Sequence, residues 1–559
     1  MKNLNPSARF KPGFVNPFGS GLLLLLVSSM TAFAGSATWK LNPTNGDWNT
    51  APNWSPSTVP DGAADIATFA FSNIIDLSLS ASTEVNGVVF NAGASAFTIT
   101  ARPSPQSVTQ LLISGVGITN DSGITQNFVT TVDQLGSYGQ IYFVDNARAG
   151  EMISIINNGG ATFFANSASA DNGVFTNNAG AGGSGLTRFL DTSTAGDGTF
   201  TTNGAGFAGA YGGYTQFYGS STAGNGTFTI NGATVSGGAN GGFLFLEDSS
   251  AAGNGTFTNN GGTVSGAGGG STRFFSSSTA GSATLIANDG TGGGAGGEIY
   301  FFGYSTGGTA RVEVFGNGKL DISSRKVTVG SIEGTGNIFL GRRNLTVGSN
   351  NLSTVFSGII QDGRLGPGGS LTKIGTGKLT LTGANLYSGG TTIKSARLLV
   401  NNTSGSGTGT GPVFVNGGAL GGNGSVAGAV TVGDGGGRAA FLAPGPNATV
   451  VGRLTIQSGL TFNSDATYKI QINSAAATTD KVLANGVTIN TGAQFIMEDL
   501  GAGMLSPGTV FTIINNTAAS PIAGRFSNLA DGLTLTNNAN TYRVNYQGGD
   551  GNDLTLTVQ

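Results

Sequence analysis

The phrase Ser-Thr-Ala-Gly-x-Gly-Thr-Phe-Thr recurs through the middle of the chain. It stands at 193–201, at 221–229 and, with Ala for Thr, at 250–258, with weaker copies at 278–286 and 306–313. Seven residues before the first Gly of each phrase, or its equivalent, lies a large apolar residue. These are Phe143, Phe164, Phe189, Phe217, Leu246, Phe274 and Phe301, spaced by 21, 25, 28, 29, 28 and 27 residues. Four residues after the Gly runs a second series: Phe175, Phe200, Phe228, Phe257, Leu285 and Val312. Two apolar series sharing one drifting period require a repeating unit whose equivalent residues stack. A period in the twenties fits one rung of a parallel β-helix, with rungs stacked at about 4.8 Å. Propeller blades need about 40 residues or more. The expected fold is therefore all-β, a right-handed parallel β-helix (solenoid) with an N-terminal cap and C-terminal β rungs.

Composition agrees. Gly is 98 of 559 residues, charged residues are 9%, and 38% of the chain is apolar. Disordered chains combine few apolar residues with high net charge; here the apolar residues recur in short alternating runs between Gly and Asn, as in many short strands with tight turns. Stacked rungs also disfavour charge, since like charges would repeat within about 5 Å, whereas Thr, Ser and Asn hydrogen-bond along the stack.

Lys2, Arg9 and Lys11 precede an apolar run of about 14 residues and the small-residue pattern Ala32-Phe33-Ala34, which reads as a signal peptide over 1–34. No later segment is long and apolar enough for a transmembrane helix. Removing the three cations takes the net charge from −3 to −6, which disfavours nucleic acid as a partner. The expected location is extracellular or on the cell surface. The rest divides into 35–110, an N-terminal cap with first rungs; 111–325, the Phe-ladder repeats; 326–450, further β-helix; and 451–559, C-terminal rungs and cap. Trp39, Trp48 and Trp54 cluster just after the leader and read as a cap over raw strand edges, the alternative being a sugar-stacking patch.

Within 369–400, Gly369, Leu371, Lys373, Gly375, Gly377, Leu379, Leu381, Gly383, Asn385, Tyr387, Gly389, Thr391 and Ile393 alternate with variable residues. This resembles the repeat of autotransporter-associated β-strand proteins, with Ala396 where that family more often has Gly. Trp39, Asp47-Trp48-Asn49, Asn53-Trp54, Pro60, Asp65 and Phe69 resemble the opening of such proteins. Leu442-Ala443-Pro444-Gly445 and the closing 546–558 resemble their last rungs. The resemblance implies an exported, passenger-like β-helix and no catalytic residues. The segment after Arg453 lacks the aromatic girdles of a membrane barrel, so a passenger without its own C-terminal translocator barrel is expected.

The chain has no histidine and no cysteine. Ser-His-Asp and Cys-His catalysis and zinc sites built on those residues are excluded. Gly318-Lys319 and Gly377-Lys378 are each followed by Leu, so neither is a P-loop. The segment 548–556 nearly matches a calcium-binding nonapeptide, but it is one copy where such sites need tandem copies, and a plain turn is the better reading. No cofactor and no metal are expected.

Carboxylates remain. Five residues before each repeat Gly stand Asp145, Asn166, Asp191, Gly219, Asp248, Ser276 and Gly303. Asp145, Asp191 and Asp248 fall on alternate rungs and are candidates for a glycan-cleaving pair, or else turn residues. Beside the Phe ladder, residues of opposite parity face outward: Tyr142, Arg188, Tyr218, Arg273, Phe275, Tyr300 and Phe302 among them. A face this aromatic is either covered or a binding surface, and its rings and cations suit sugars or a partner protein. The expected function is a non-enzymatic, adhesin-like surface or matrix protein that presents a repetitive surface to polysaccharides, cell-surface glycans or copies of itself. The alternative is a glycan-degrading β-helix enzyme.

Overall fold

Each copy of the repeat phrase builds one corner and the strand after it. The computed structural model describes residues 35–559 apart from 104–106, 181 and 448; the proposed leader at 1–34 lies outside the described residues. At one corner, buried Ser193 donates its Oγ to the Leu190 carbonyl at 2.7 Å. Thr194 Oγ1 accepts from the Gly196 amide at 3.0 Å, a local turn that Thr favours. Ala195 points inward, and Gly196 sits at φ +60°, where a side chain would be strained. A Cβ on Gly198 would stand 2.9 Å from the Phe200 ring, so the second Gly leaves room for that Phe. The strand Thr199–Thr202 then alternates, burying Phe200 and Thr202.

Both apolar series stack in register. Phe143 pairs with Phe164, Phe164 with Phe189, Phe189 with Phe217, and the ladder continues through Leu246 and Phe274 to Phe301. Phe175, Phe200, Phe228, Phe257, Leu285 and Val312 form the second ladder. Successive rings lie 4.7–4.8 Å apart and nearly parallel. The two ladders meet edge to face inside the coil, with Phe189 5.7 Å from Phe200. Such contacts add to the area buried, and this interior is the core.

A first sheet of 15 strands runs from the antiparallel pair Ala37–Trp39 and Trp54–Ser55 to Ile359–Gln361. A second sheet runs from Asp76–Leu79 to Gln494–Asp499, parallel except where Thr478–Thr479 folds back antiparallel on Ala466–Asn473. Up to Thr306 the third side of the coil is only a ladder of single bridges, through Ser169, Thr194, Thr222, Ala251 and Thr279. From Val327–Val329 it widens into a 9-stranded sheet ending at Ala523–Gly524. The chain is a parallel β-helix, as expected, and no α-helix is present among the described residues.

The ends differ from the rungs. Trp39, Trp48 and Trp54 are buried, the Trp54 ring lying 5.1 Å from each of the other two, and Trp54 Nε1 donates to the Trp48 carbonyl at 2.7 Å. They form a cap, which overturns the sugar-stacking alternative: no ring face is left for a ligand. At the other end, Val510–Asn516, Asp553–Val558, Asn540–Gly548 and Thr534–Asn537 pair antiparallel. The segment 548–556 is the hairpin turn and last strand there, and Asp553 Oδ1 accepts from the Asn516 amide at 2.9 Å.

Candidate functional site

The outer face of the first sheet is set by strand parity. In Leu186–Phe189, Phe243–Leu246 and Glu298–Phe301 the second and fourth residues are buried and the first and third half-exposed. The residue after each strand also faces out. One column therefore reads Tyr142, Phe163, Arg188, Gln216, Phe245, Arg273, Tyr300, Asp321, Phe339. A neighbouring column reads Leu186, Tyr214, Phe243, Ser271, Glu298, Lys319. Tyr142, Arg188, Tyr218, Arg273, Phe275, Tyr300 and Phe302 are all half-exposed.

These side chains pack along the face. Tyr142 stacks on Phe163 at 4.4 Å. The Arg188 guanidinium lies 5.7 Å from the Phe163 ring and 5.3 Å from that of Tyr218, and its Nε donates to Gln216 Oε1 at 2.8 Å. Arg273 sits between Phe243 at 5.0 Å and Tyr300 at 5.2 Å. Lys319 Nζ lies 5.3 Å from the Tyr300 ring and 2.6 Å from Glu298. Phe275 stacks on Phe302 at 4.9 Å, and Phe302 lies 5.6 Å from Tyr300. Arg188 with Tyr218, and Arg273 with Tyr300, Phe275 and Phe302, thus form two clusters, and Tyr142 reaches the first only through Phe163. Each cation–π contact contributes about 0.5–1 kcal/mol when partly exposed, so the rings are held in place. Tyr218 donates to Glu247 at 3.1 Å; partial burial first, then that carboxylate, pushes its phenol up to about 12.

The face ends in a cleft of about 500 Å³ lined by Tyr300, Lys319, Asp321, Ser323, Phe339, Asp362, Arg364 and Leu365. Its wall is the turn Gly363–Leu365. Asp362 anchors that wall, accepting from the Gly369 amide at 2.9 Å and from Ser388 Oγ at 2.7 Å. The sequence reading missed Phe163, Tyr214, Phe243, Lys319 and the cleft residues. Carrying the outward parity two residues earlier would have found Tyr214 and Phe243, and carrying the series one rung past Phe301 as well would have found Lys319; nothing local marks Asp362 or Arg364.

The Asp stripe serves the corners. Asp145, Asn166, Asp191, Gly219, Asp248, Ser276 and Gly303 all hold left-handed φ between 50° and 65°. Asp191 accepts from the Asn166 amide at 3.0 Å, Asp248 from the Gly219 amide at 3.1 Å, and Asp145 from Asn166 Nδ2 at 2.7 Å. Each of these bonds ties one rung to the next. Among the described residues no group of three or more Asp or Glu stands close enough to hold a metal ion, and no helix is long and apolar enough to cross a membrane.

Comparison with known proteins bears out the resemblance read around Leu371 and Tyr387. Residues 371–400 match the family described as the passenger-associated-transport-repeat. An "Extracellular serine protease" of Serratia marcescens is 27% identical over 196 residues, which cover 34% of this chain and 17% of that protein. The Hap adhesin of Haemophilus influenzae overlaps 91% of this chain and 65% of its own at 11% identity, with a TM-score of 0.25. The chain thus spans under two thirds of the length of either protein. Within 371–400 the repeat occupies the strands Leu379–Leu381, Thr391–Ile393 and Arg397–Val400, so this β-helix carries a passenger-associated-transport-repeat as one of its own turns.

Proposed function

We propose that the chain is an exported, non-enzymatic β-helix of the cell surface or its surroundings. It binds glycans through the outer face of the first sheet. The observation that supports this reading is the half-exposed set of rings and cations, Tyr142, Arg188, Tyr218, Arg273, Phe275, Tyr300 and Phe302, on one outer face beside the cleft at Tyr300. Aromatic faces match the C–H faces of sugar rings, and fixed polar groups at a cleft orient hydroxyls. Asp321, Asp362, Lys319 and Arg364 supply both acceptors and donors there. An apolar row of this extent, left open on a soluble surface, is normally a contact site. The protease activity in the Serratia protein's name does not carry over through a Ser-His-Asp triad, because this chain has no histidine.

The test is retention on a panel of immobilised neutral polysaccharides, with newly formed chain ends measured in the same samples. Retention without new ends is expected, weakened about tenfold or more by Tyr300→Ala or Phe275→Ala at unchanged circular dichroism. Release of chain ends would make the protein an enzyme. Retention indifferent to both substitutions would move the binding surface elsewhere. Absence of retention would leave self-association, read by sedimentation, as the use of this face.

A further inference from the structure

The third side of the coil carries a cleft of different chemistry. It lies where the ladder of single bridges ends at Thr306 and the wide sheet begins at Val327–Val329. The change from a one-residue side to a three-residue strand leaves a recess of about 510 Å³. Arg325, Lys326 and Lys394 line it, together with Asn344, Thr346 and Thr372, and none of its lining residues is acidic. In a chain of net charge −3, three cations facing one recess without a lining carboxylate are a local excess. We propose that this recess binds an acidic polysaccharide, one whose successive sugars carry sulfate or carboxylate groups.

The cations are arranged along the stack. Thr328, Thr346, Thr372 and Thr392 occupy one outward column on four successive rungs. Lys326 stands two residues before the first of these threonines and Lys394 two residues after the last. Three rung steps put them about 14 Å apart along the axis. A single small anion meets only one of them, whereas an oligosaccharide with several anionic groups meets both. Arg325 is preset: its Nη1 donates to the Gly303 carbonyl at 2.9 Å and its Nε to the Lys326 carbonyl at 3.1 Å, leaving Nη2 for the ligand. Asn344 donates to Ser370 and Thr372, and Thr346 donates to Asn344, a fixed hydroxyl and amide floor for sugar hydroxyls. The recess has no aromatic residue for base stacking and only Val327 and Ile374 as apolar lining, which disfavours single-stranded nucleic acid and a lipid surface.

The experiment is calorimetric titration of the full chain with a sulfated hexasaccharide, its unsulfated counterpart and inorganic sulfate. The sulfated hexasaccharide is expected to bind, and to weaken steeply with salt, as ionic contacts do. The triple variant R325Q/K326Q/K394Q is expected to lose about tenfold or more, while Tyr300→Ala binds as the parent does. Should the triple variant misfold, Lys394→Gln, at an exposed side chain, is expected to lose a measurable part of the same affinity. Parent and triple variant binding the sulfated sugar alike, no binding by the parent, or equal binding of the unsulfated sugar by the Tyr300→Ala variant would each overturn the proposal. Inorganic sulfate matching the hexasaccharide would overturn it as well, reducing the recess to a simple anion site. Neutral sugars and the Tyr300 and Phe275 variants test the aromatic face separately, so either reading can fail without the other.

Discussion

Ala396 holds φ at +57°, a left-handed conformation that costs a residue with a Cβ about 1–2 kcal/mol. It stands where related repeats more often have Gly, and the backbone supplies the reason. Ala396→Gly is expected to stabilise the chain by about 0.5–1 kcal/mol, the gain being reduced by the extra freedom of Gly in the unfolded state; urea unfolding checks this. Other repeat residues are equally legible. Asn385 is buried, accepts from the Ile360 amide at 2.8 Å and donates to the Gly407 carbonyl at 2.6 Å, joining rungs on both sides. Tyr387 is fully buried and hydrogen-bonds Thr391 at 2.6 Å. Lys373 is different. It points inward, is 1% exposed, and its Nζ donates to the Ile374 carbonyl. Burial pushes its ammonium down to about 8, against about 10.4 in an unfolded chain. Between those values the unfolded state binds more protons, so stability rises with pH. Lys373→Met is expected to be more stable than the parent by about 1–3 kcal/mol at pH 7. It should also flatten the rise between pH 8 and 10, which denaturant midpoints across pH would read.

Ladders are the unit at the scale of the element. Phe217 stacks on Phe189 at 4.7 Å and meets Phe228 edge-on at 5.7 Å. Phe217→Ala is expected to cost about 3–5 kcal/mol. Because each rung contacts mainly its neighbours, hydrogen exchange should quicken first around 186–250 rather than throughout. A polar ladder lies at a corner: Asn158, Asn178, Asn203, Asn231, Asn260 and Asn288 pass one amide hydrogen bond from rung to rung at 2.7–2.8 Å. Asn231→Asp replaces a donor with a carboxylate facing Asn203 Oδ1. The expected cost is about 1–3 kcal/mol at pH 7. A protonated carboxyl can donate as the amide did, so the folded pKa of this group lies above its unfolded value. The lost stability is then expected to return as pH falls through that raised folded pKa and to be fully restored below about 4, as thermal midpoints at pH 3.5 and 7 would show.

The β-helix of residues 35–559 is a stack whose ends have to be closed. Raw strand edges template further pairing, and here three buried tryptophans close one end and antiparallel strands the other. Removing residues 506–559 is expected to expose the edge at Lys481–Ala484 and give concentration-dependent aggregation, read by light scattering; a monodisperse product would argue that the last parallel rung closes itself. Much at this scale was written in the sequence. The ladders, the corner phrase and the Trp cap could be read because a stacked coil sends the same chemical demand back every 20 to 30 residues. Repetition makes one weak local preference visible many times, and Phe189, Phe217 and Gly196 carry it. The parity of the strands likewise placed Tyr142, Arg188, Tyr218, Arg273, Phe275, Tyr300 and Phe302 on one outer face. The tertiary structure alone decided where the third side widens, near Val327, and which columns then come to lie across a recess. Asp362 and Arg364 meet Tyr300, and Lys326 and Lys394 come to line one recess, only because rungs of unequal length stack on one axis.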